Sequence, residues 1–266
     1  MGDIKFLHIS DLHIGDKYQN GLISQTKKVL FEDIEYMLEK LETLDVVFFT
    51  GDFVQKGMHE EFVLLEEFLK ELWTVFAKFD QNPYLFCVPG NHDIERVYDK
   101  NNPVQKIMLN WVNESIKDEY FWAGSNVYLD FIKERFQNYH NWFNTTSIKK
   151  PLIQEGYLPG DFCCSIQLND LKLGVVGLNS TFLQLEGGDF KQKLGVYNKQ
   201  IQAMFKEEYF EWIEKHDISV LLTHQSSDWY EPKSFEEFNQ EIYTKNSFIE
   251  QLCGHMHEPQ FSKLSL

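Results

Sequence analysis

Carboxylate, amide and imidazole side chains recur along this sequence directly after short apolar runs. Five such runs are each followed by residues of these kinds: Asp11 and His13 after IKFLHI, Asp52 after DVVFFT, Asn91, His92 and Asp93 after YLFCV, His224 after ISVLLT, and His255 and His257 after FIEQLC. These groups are ligands of borderline divalent metals such as Mn, Fe and Zn. A structural zinc site would need thiolates, and the four cysteines show no C-x-x-C spacing. The pattern predicts an open catalytic metal centre.

Two pairs in this set have a spacing that aims both side chains at one point. Residues i and i+2 of an extended segment point to the same side, so Asp11 with His13, and His255 with His257, can each present two ligands. Taken singly, each residue has a structural explanation, because Asp, Asn and Gly are common in turns. Taken together, five of the nine histidines fall after a predicted strand, beside a partner ligand or in the one glycine-led turn, which chance rarely produces. The other four are expected to be structural or solvated: His8, His59, His140 and His216.

Apolar runs and helical patterns alternate along the chain and must position these residues. The runs typical of buried strands cover 4–9, 45–50, 84–88, 172–178 and 218–223. Apolar residues recur at steps of three and four, which predicts helices, over 24–42, 59–79 and 198–215. This alternation predicts an α/β fold with central β-sheets flanked by helices.

The segment 94–160 interrupts the alternation. It contains two predicted helices rich in aromatic residues: Trp111, Phe121, Trp122, Tyr128, Phe131, Phe136, Tyr139, Trp142 and Phe143. We interpret 94–160 as a helical cap inserted into one domain that covers 1–266. The helical spacing of the aromatics favours packing in a core, and stacking on nucleobases is the alternative.

The composition is that of a folded, acidic protein. Hydrophobic residues make up 43% of the chain, and 25 basic against 41 acidic residues give a formal charge of −16. Such a charge disfavours long duplex nucleic acid as a partner. The sequence shows no secretory leader and no apolar run long enough to span a membrane. Together with the few cysteines, this predicts a cytoplasmic protein without a membrane partner.

In their order along the chain, the motifs resemble those of the calcineurin-like metallophosphoesterase superfamily. They are D-x-H at 11–13, G-D-x-x-x-x-G at 51–57, G-N-H-D at 90–93, a single His at 224 and G-H-x-H at 254–257. The resemblance implies a layered metallophosphoesterase fold that holds two divalent metal ions, Mn, Fe or Zn, with Mn favoured.

The resemblance also implies a role for each motif residue. One metal would be bound by Asp11, His13 and His257, the other by Asn91, His224 and His255, with Asp52 bridging the two. His92 would stabilise the transition state or protonate the leaving oxygen, and Asp93 would orient its ring. Many relatives have a second histidine where this chain has Gln225, which leaves Gln225 to contact substrate or to fill space.

The implied activity is that of a metal-dependent phosphoric ester hydrolase. Phosphoprotein phosphatases of the superfamily read G-D-x-V-D-R-G and G-N-H-E, whereas this chain has Gln55, Lys56 and Asp93 at the differing positions. GDFVQKG with GNHD is more similar to the phosphodiesterase branches, which include cyclic-nucleotide phosphodiesterases and repair exonucleases. The expected reaction is hydrolysis of a phosphodiester, in a nucleotide or a single-stranded nucleic-acid end, by attack of a metal-bridged hydroxide.

Several alternatives remain open on the sequence alone. The fold could serve as a non-catalytic binding scaffold, or the substrate could be a phosphomonoester. The acidic run 228–241 is typical of a solvated face, but beside the site it would favour a small nucleotide or a single-strand end. Because the family fold usually continues beyond G-H-x-H, the chain is either a compact variant or, as we favour, the leading domain of a longer protein, similar to domains that open multidomain bacterial NTPases of the defence type. C-terminal domains or an oligomer would then be its partners.

Overall fold

The computed structural model describes residues 2–15, 20–96, 99, 101–111, 120–123, 127–206 and 208–256, with the backbone alone over 20–25. Within these ranges, strands and helices follow one another in the predicted order. Part of the predicted cap, including 112–119 and 124–126, lies outside the described residues.

The N-terminal part of the chain forms a three-stranded parallel sheet. Its strands lie in the order β1-β2-β3, with β1 at Phe6–Ile9, β2 at Val46–Phe49 and β3 at Tyr84–Cys87. The connecting helices are α1 at Asn20–Leu38 and α2 at His59–Ala77. Because the strands are parallel and in register, their carboxyl ends lie at one edge of the sheet. The segments that follow the strands therefore meet there.

The second sheet has five strands in the order β4-β5-β6-β7-β8. These strands are β4 at Gln154–Glu155, β5 at Phe162–Leu168, β6 at Leu171–Gly177, β7 at Ile218–Leu222 and β8 at Glu250–Leu252. The first two pairings are antiparallel and the last two are parallel. Three helices connect the parallel strands: α6 at Asn198–Phe205, α7 at Tyr209–Glu214 and α8 at Pro232–Glu237. The sequence patterns predicted β6, β7 and the last apolar segment but missed β4 and β5.

The two sheets pack face to face, with helices on their outer faces. Along β2, Val46 and Phe48 point between the sheets, where the ring of Phe86 lies 6.1 Å from that of Phe162. Val47 and Phe49 point the opposite way and pack against α1 and α2. Burial on both faces explains why β2 is apolar at every position rather than at every second one. The predicted α/β class, with sheets flanked by helices, is confirmed.

Three further helices occupy the segment between the two sheets. They are α3 at Pro103–Leu109, α4 at Val127–Arg135 and α5 at Gln137–Thr145. Asn102 caps α3 by accepting hydrogen bonds from the backbone N–H groups of Val104 and Gln105. The aromatic side chains of this segment that are buried in the core are Trp111, Phe121, Phe131, Phe136, Tyr139 and Trp142. Their burial favours the packing explanation, and the role of 94–160 as a cap stays a prediction.

One predicted helix is interrupted. The pattern over 198–215 predicts a continuous helix, but α6 ends at Phe205 and α7 begins at Tyr209. Lys206 adopts φ 55°, in the left-handed region, which stops a right-handed helix.

Across the described part of the chain, no helix combines the length and apolarity required to cross a membrane.

Candidate metal centre

The predicted site residues converge where the carboxyl ends of the strands meet. His257 lies outside the described residues, and the remaining predicted members come together: Asp11, His13, Asp52, Asn91, His92, Asp93, His224 and His255. The segment after β1 is tied to the segment after β2, because the backbone N–H of Asp11 donates to Gly51 and that of His13 donates to Asp52, both at 3.0 Å. Because His224 and His255 follow strands of the second sheet, the site is built from the loops of both sheets.

Four of these residues have an unusual backbone conformation. Asp11, His13, Asp52 and His255 adopt φ values of 58°, 49°, 54° and 72°. L-residues rarely enter this left-handed region, and each instance costs on the order of 1 kcal/mol. The surrounding hydrogen bonds hold the residues there, so folding energy is used to turn these side chains toward one point.

Two motif glycines allow the loops to approach this closely. A Cβ atom at Gly90 would lie 2.2 Å from Oδ1 of Asp52, and one at Gly254 would lie 2.6 Å from Oδ2 of Asp11. Both positions therefore exclude any side chain. The glycines of G-N-H-D and G-H-x-H are required because the carboxylates of other motifs occupy the space beside them.

Asp52 is the residue common to both clusters of candidate ligands. Its side chain is 1% exposed, and potential ligand atoms lie within 4.8 Å of one another in two groups, Asp52 with His13 and His92, and Asp52 with His224 and His255. Oδ2 of Asp52 lies 3.3 Å from Nε2 of His224 and 3.8 Å from Nε2 of His13. Oδ1 accepts a 2.7 Å hydrogen bond from the backbone N–H of His92. A carboxylate in this position can bridge two cations.

When the ring of His224 is neutral, the lone pair on its Nε2 faces the lone pairs of neighbouring side chains. Its Nδ1 lies 2.7 Å from the carbonyl oxygen of Thr50, which can only accept, so Nδ1 carries the hydrogen. Nε2 then presents a lone pair, and two acceptor oxygens face it, Oδ2 of Asp52 at 3.3 Å and Oδ1 of Asn91 at 3.2 Å. Nδ1 of His255 lies 3.3 Å away and can donate or accept according to its tautomer. A cation at Nε2, either a proton or a metal ion, removes the repulsion between this lone pair and the two oxygens.

The pKa values agree with this reading of the cluster. Burial disfavours the charged form of His224, but the Asp52 carboxylate, together with Asp11 and the Thr50 carbonyl, outweighs burial and raises the pKa of His224 to about 9. Burial likewise opposes ionisation of Asp52, yet the positive charge of His224 holds the pKa of Asp52 well below its usual value. When no metal ion is bound, a proton on Nε2 of His224 therefore pairs the ring with the Asp52 carboxylate.

The donor set fits a divalent metal ion in place of that proton. Two nitrogen or oxygen ligands, each about 2.0–2.2 Å from one ion, lie about 3.0–3.4 Å apart. The separations of 3.2 Å and 3.3 Å around Nε2 of His224 match this range. Nitrogen and oxygen donors without thiolate also suit the ions expected from the sequence.

The other half of the centre lies around His13. Its Nε2 is 3.8 Å from Oδ2 of Asp52 and 4.0 Å from Oδ1 of Asp11, and its ring meets that of His92 edge to face at 4.5 Å. The Asp11 carboxylate accepts the backbone N–H of His255 at 3.0 Å. Asp11 thus joins the loop after β1 to the loop after β8, in addition to facing His13.

The contacts of Asp93 differ from the expected role. Asp93 was predicted to orient the ring of His92, but its carboxylate accepts hydrogen bonds from the backbone N–H groups of Gly90, at 2.7 Å, and Val54, at 3.1 Å. The ring of His92 is instead held at Nδ1 by the carbonyl oxygen of Gln55, at 2.8 Å. Burial and the negative charge of Asp52 raise the pKa of Asp93 well above its usual value. Asp93 positions two loops rather than the ring beside it.

Two residues beside the centre had not been predicted as part of it. Arg96 is partly buried and donates from Nη2 to the backbone carbonyl of Asn91 at 2.7 Å. Trp229 places its ring 4.2 Å from that of His255, edge to face. The acidic run 228–241 therefore begins next to the site. Neither residue belongs to a motif, and their only signal in the sequence is proximity to one.

The comparisons with known proteins agree with the motif order. The family model of the calcineurin-like phosphoesterases matches residues 4–259. The chain therefore belongs to the calcineurin-like phosphoesterase family, whose members depend on a dinuclear metal centre. The comparison with curated proteins finds no match to this chain.

Solved structures provide one further comparison. The chain is similar to a protein assigned as a 5′-nucleotidase from Staphylococcus aureus, solved in complex with alpha-ketoglutarate, with 15% sequence identity and a TM-score of 0.42. The match covers 98% of this chain and 46% of that one, so the chain spans about half the length of the solved protein.

Proposed function

We propose that this domain is a dinuclear metal-dependent phosphodiesterase that hydrolyses a nucleotide or a nucleic-acid phosphodiester. The observation that carries the proposal is the convergence of Asp52, Asn91 and His255 on the lone pair of His224, with Asp52 shared by a second group around His13. This arrangement supports two adjacent cation positions rather than one.

The residues have distinct proposed roles. One cation would be held by Asn91, His224 and His255, and the other by His13 with Asp11 and His257, while Asp52 would contact both. Two such cations, with Mn²⁺ favoured, supply an activated nucleophile and stabilise charge on the phosphoryl oxygens.

His92 is the proposed proton donor to the leaving oxygen. Because the carbonyl of Gln55 fixes the hydrogen on Nδ1 of His92, the opposite nitrogen, Nε2, is the one that can carry a proton to and from substrate. The Gln55 carbonyl also stabilises the charged ring by accepting that hydrogen. His92 would therefore exchange the proton with substrate through Nε2. Asp93 would maintain the conformation of the loop that carries His92.

A diester of limited size fits the surroundings best. Gln55, Lys56 and Asp93 depart from the phosphoprotein phosphatase pattern. The acidic run that begins beside Trp229, together with the net charge of −16, opposes a long duplex. These features support a nucleotide or a single-stranded end as substrate.

Hydrolysis of two simple aryl esters tests the proposal. Mn²⁺-dependent turnover of bis-p-nitrophenyl phosphate is compared with that of p-nitrophenyl phosphate, using the wild type and Asp52→Asn. We expect faster diester turnover that falls by at least about 100-fold in Asp52→Asn. Asp45→Asn is the matched control, because Asp45 precedes β2 at the opposite end from Asp52 and its side chain accepts the backbone N–H of Lys5, away from the site. Faster monoester turnover would show a phosphomonoesterase, and no turnover with two bound metals would favour a binding scaffold.

A further inference from the structure

A cluster of buried polar side chains lies directly behind Asn91. It consists of Ser180, Gln184 and Gln225, which are 0%, 6% and 0% exposed. Burying an amide or hydroxyl group costs free energy unless each donor and acceptor finds a partner. Their hydrogen bonds therefore fix their orientations, and these can be worked out one atom at a time.

Ser180 determines which way the amide of Gln225 points. Oγ of Ser180 accepts the backbone N–H groups of His224, at 3.2 Å, and Gln225, at 3.0 Å. The hydroxyl of Ser180 then has its own hydrogen to donate, and its remaining contact among the described residues is Oε1 of Gln225 at 2.6 Å. The oxygen of the Gln225 amide must therefore face Ser180, and the nitrogen must face away from it.

The nitrogen of Gln225 then determines the orientation of Asn91. Nε2 of Gln225 has two hydrogens, and it lies 3.3 Å from Oδ1 of Asn91 and 3.3 Å from Oε1 of Gln184. Because Nε2 can only donate, it requires the oxygen, not the nitrogen, of the Asn91 amide on this side. That same oxygen lies 3.2 Å from Nε2 of His224. A reversed Asn91 amide would point N–H groups at the cation position.

We propose that Gln225 is a positioning residue that presents Oδ1 of Asn91 to the cation held with His224 and His255. This inference rests on the proposed function, because it assumes that Asn91 is a metal ligand. It replaces both roles considered from the sequence, since a fully buried Gln225 neither contacts substrate nor merely fills space. Partners of this kind typically change metal affinity by about 10–100-fold when removed.

The test compares Mn²⁺ binding to the wild type, Gln225→Met and Ser180→Ala. Isothermal titration of the chelator-treated protein gives the dissociation constants of both cation positions. We expect Gln225→Met to weaken one position by about 10–100-fold and to leave the other within about 3-fold. Ser180→Ala, a smaller change that releases the Gln225 amide from its fixed orientation, should weaken the same position by less. Turnover of Gln225→Met should recover at saturating Mn²⁺.

Gln200→Met separates positioning from lost stability. Gln200 is also 0% exposed. Its side chain makes three hydrogen bonds: it donates to Asp161 and to the carbonyl of Asn179, and it accepts the backbone N–H of Tyr197. Gln200→Met should lower the melting temperature as much as Gln225→Met does, while the Mn²⁺ affinities of both cation positions stay unchanged.

The outcomes distinguish this inference from the proposed function. Unchanged Mn²⁺ affinities in both Gln225→Met and Ser180→Ala would overturn the positioning role, even if the wild type is an active phosphodiesterase. Equal losses of Mn²⁺ affinity in Gln225→Met and Gln200→Met would overturn the positioning role as well. If the wild type binds two Mn²⁺ ions but hydrolyses neither ester, the proposed function fails, and the affinities of the variants still decide the role of Gln225. A wild type that binds no Mn²⁺ would overturn both.

Discussion

Removal of metal should make the stability of this protein depend on the charge of one buried histidine. In the metal-free protein the Asp52 carboxylate, together with Asp11 and the Thr50 carbonyl, outweighs burial and raises the pKa of His224 to about 9, from 6.5 in an unfolded chain. The protonated ring therefore stabilises the folded state fully below pH 6.5, and this contribution is lost as the pH rises through 9. At about 1.4 kcal/mol for each pH unit, the loss amounts to about 3 kcal/mol.

Metal binding should show the opposite pH dependence. A metal ion and a proton compete for Nε2 of His224, so each pH unit below 9 should weaken Mn²⁺ binding at this position by about 10-fold. At pH 7 the competing proton would weaken binding by about 100-fold relative to the unprotonated ring, which corresponds to about 2.7 kcal/mol.

Chemical unfolding and titration calorimetry measure the two effects. Urea unfolding of chelator-treated protein between pH 6 and 9.5 gives the free energy of unfolding, and His224→Gln, which cannot take up a proton, serves as the reference. The stability of the wild type relative to His224→Gln should fall with pH across this range, while the Mn²⁺ affinity of the wild type rises. A constant difference between the two proteins, or Mn²⁺ binding that does not change with pH, would refute the argument that a proton occupies the cation position.

Three further substitutions test other parts of the site and fold. His92→Ala should keep both metal ions, measured by elemental analysis, while diester turnover falls by about 100-fold or more, as for loss of an acid catalyst; loss of metal together with activity would contradict that role. Gly90→Ala should lose Mn²⁺ binding or fail to fold, because its Cβ would lie 2.2 Å from Oδ1 of Asp52; a normal calorimetric titration would show that the loop can relax. Glu66→Ala should lower the free energy of unfolding by about 1–3 kcal/mol without changing turnover, since Glu66 accepts hydrogen bonds from Trp142, Thr146 and Ser147 at the end of α5; unchanged urea unfolding would show that this link contributes little.

The position of the site could be predicted from the sequence because it depends on a general property of parallel sheets. Apolar runs locate the strands, and parallel strands in register bring their carboxyl ends to one edge. Any polar residue that follows such a run, such as Asp52 or His224, is therefore carried to that edge. The residue types in each motif then indicate which ligands are present, and their spacing indicates which of them point the same way. Neither inference requires the exact geometry of the site.

Other features depend on contacts that leave no pattern in the sequence. Asp93 adjoins His92, but the turn directs its carboxylate to Gly90 and Val54 instead. Gln225 meets Asn91 from 134 positions away. Its place after His224 marks it as a departure from many relatives, but it does not reveal Asn91 as its partner. The helical periodicity of 198–215 continues across Lys206, because periodicity records which residues are buried and not whether the backbone is continuous.

The hydrogen bond from the backbone of His255 to the Asp11 carboxylate has a consequence for how the protein matures. The two residues are 244 positions apart, so the contact forms only after almost the whole described chain has been made and both sheets have packed together. Contacts between such distant residues are slow to form, because the intervening chain must lose its freedom first. The cation positions are completed by this last closure. A metal ion would therefore bind after the domain has folded rather than start its folding. Once bound to ligands from both sheets, the ion would slow the separation of the two sheets.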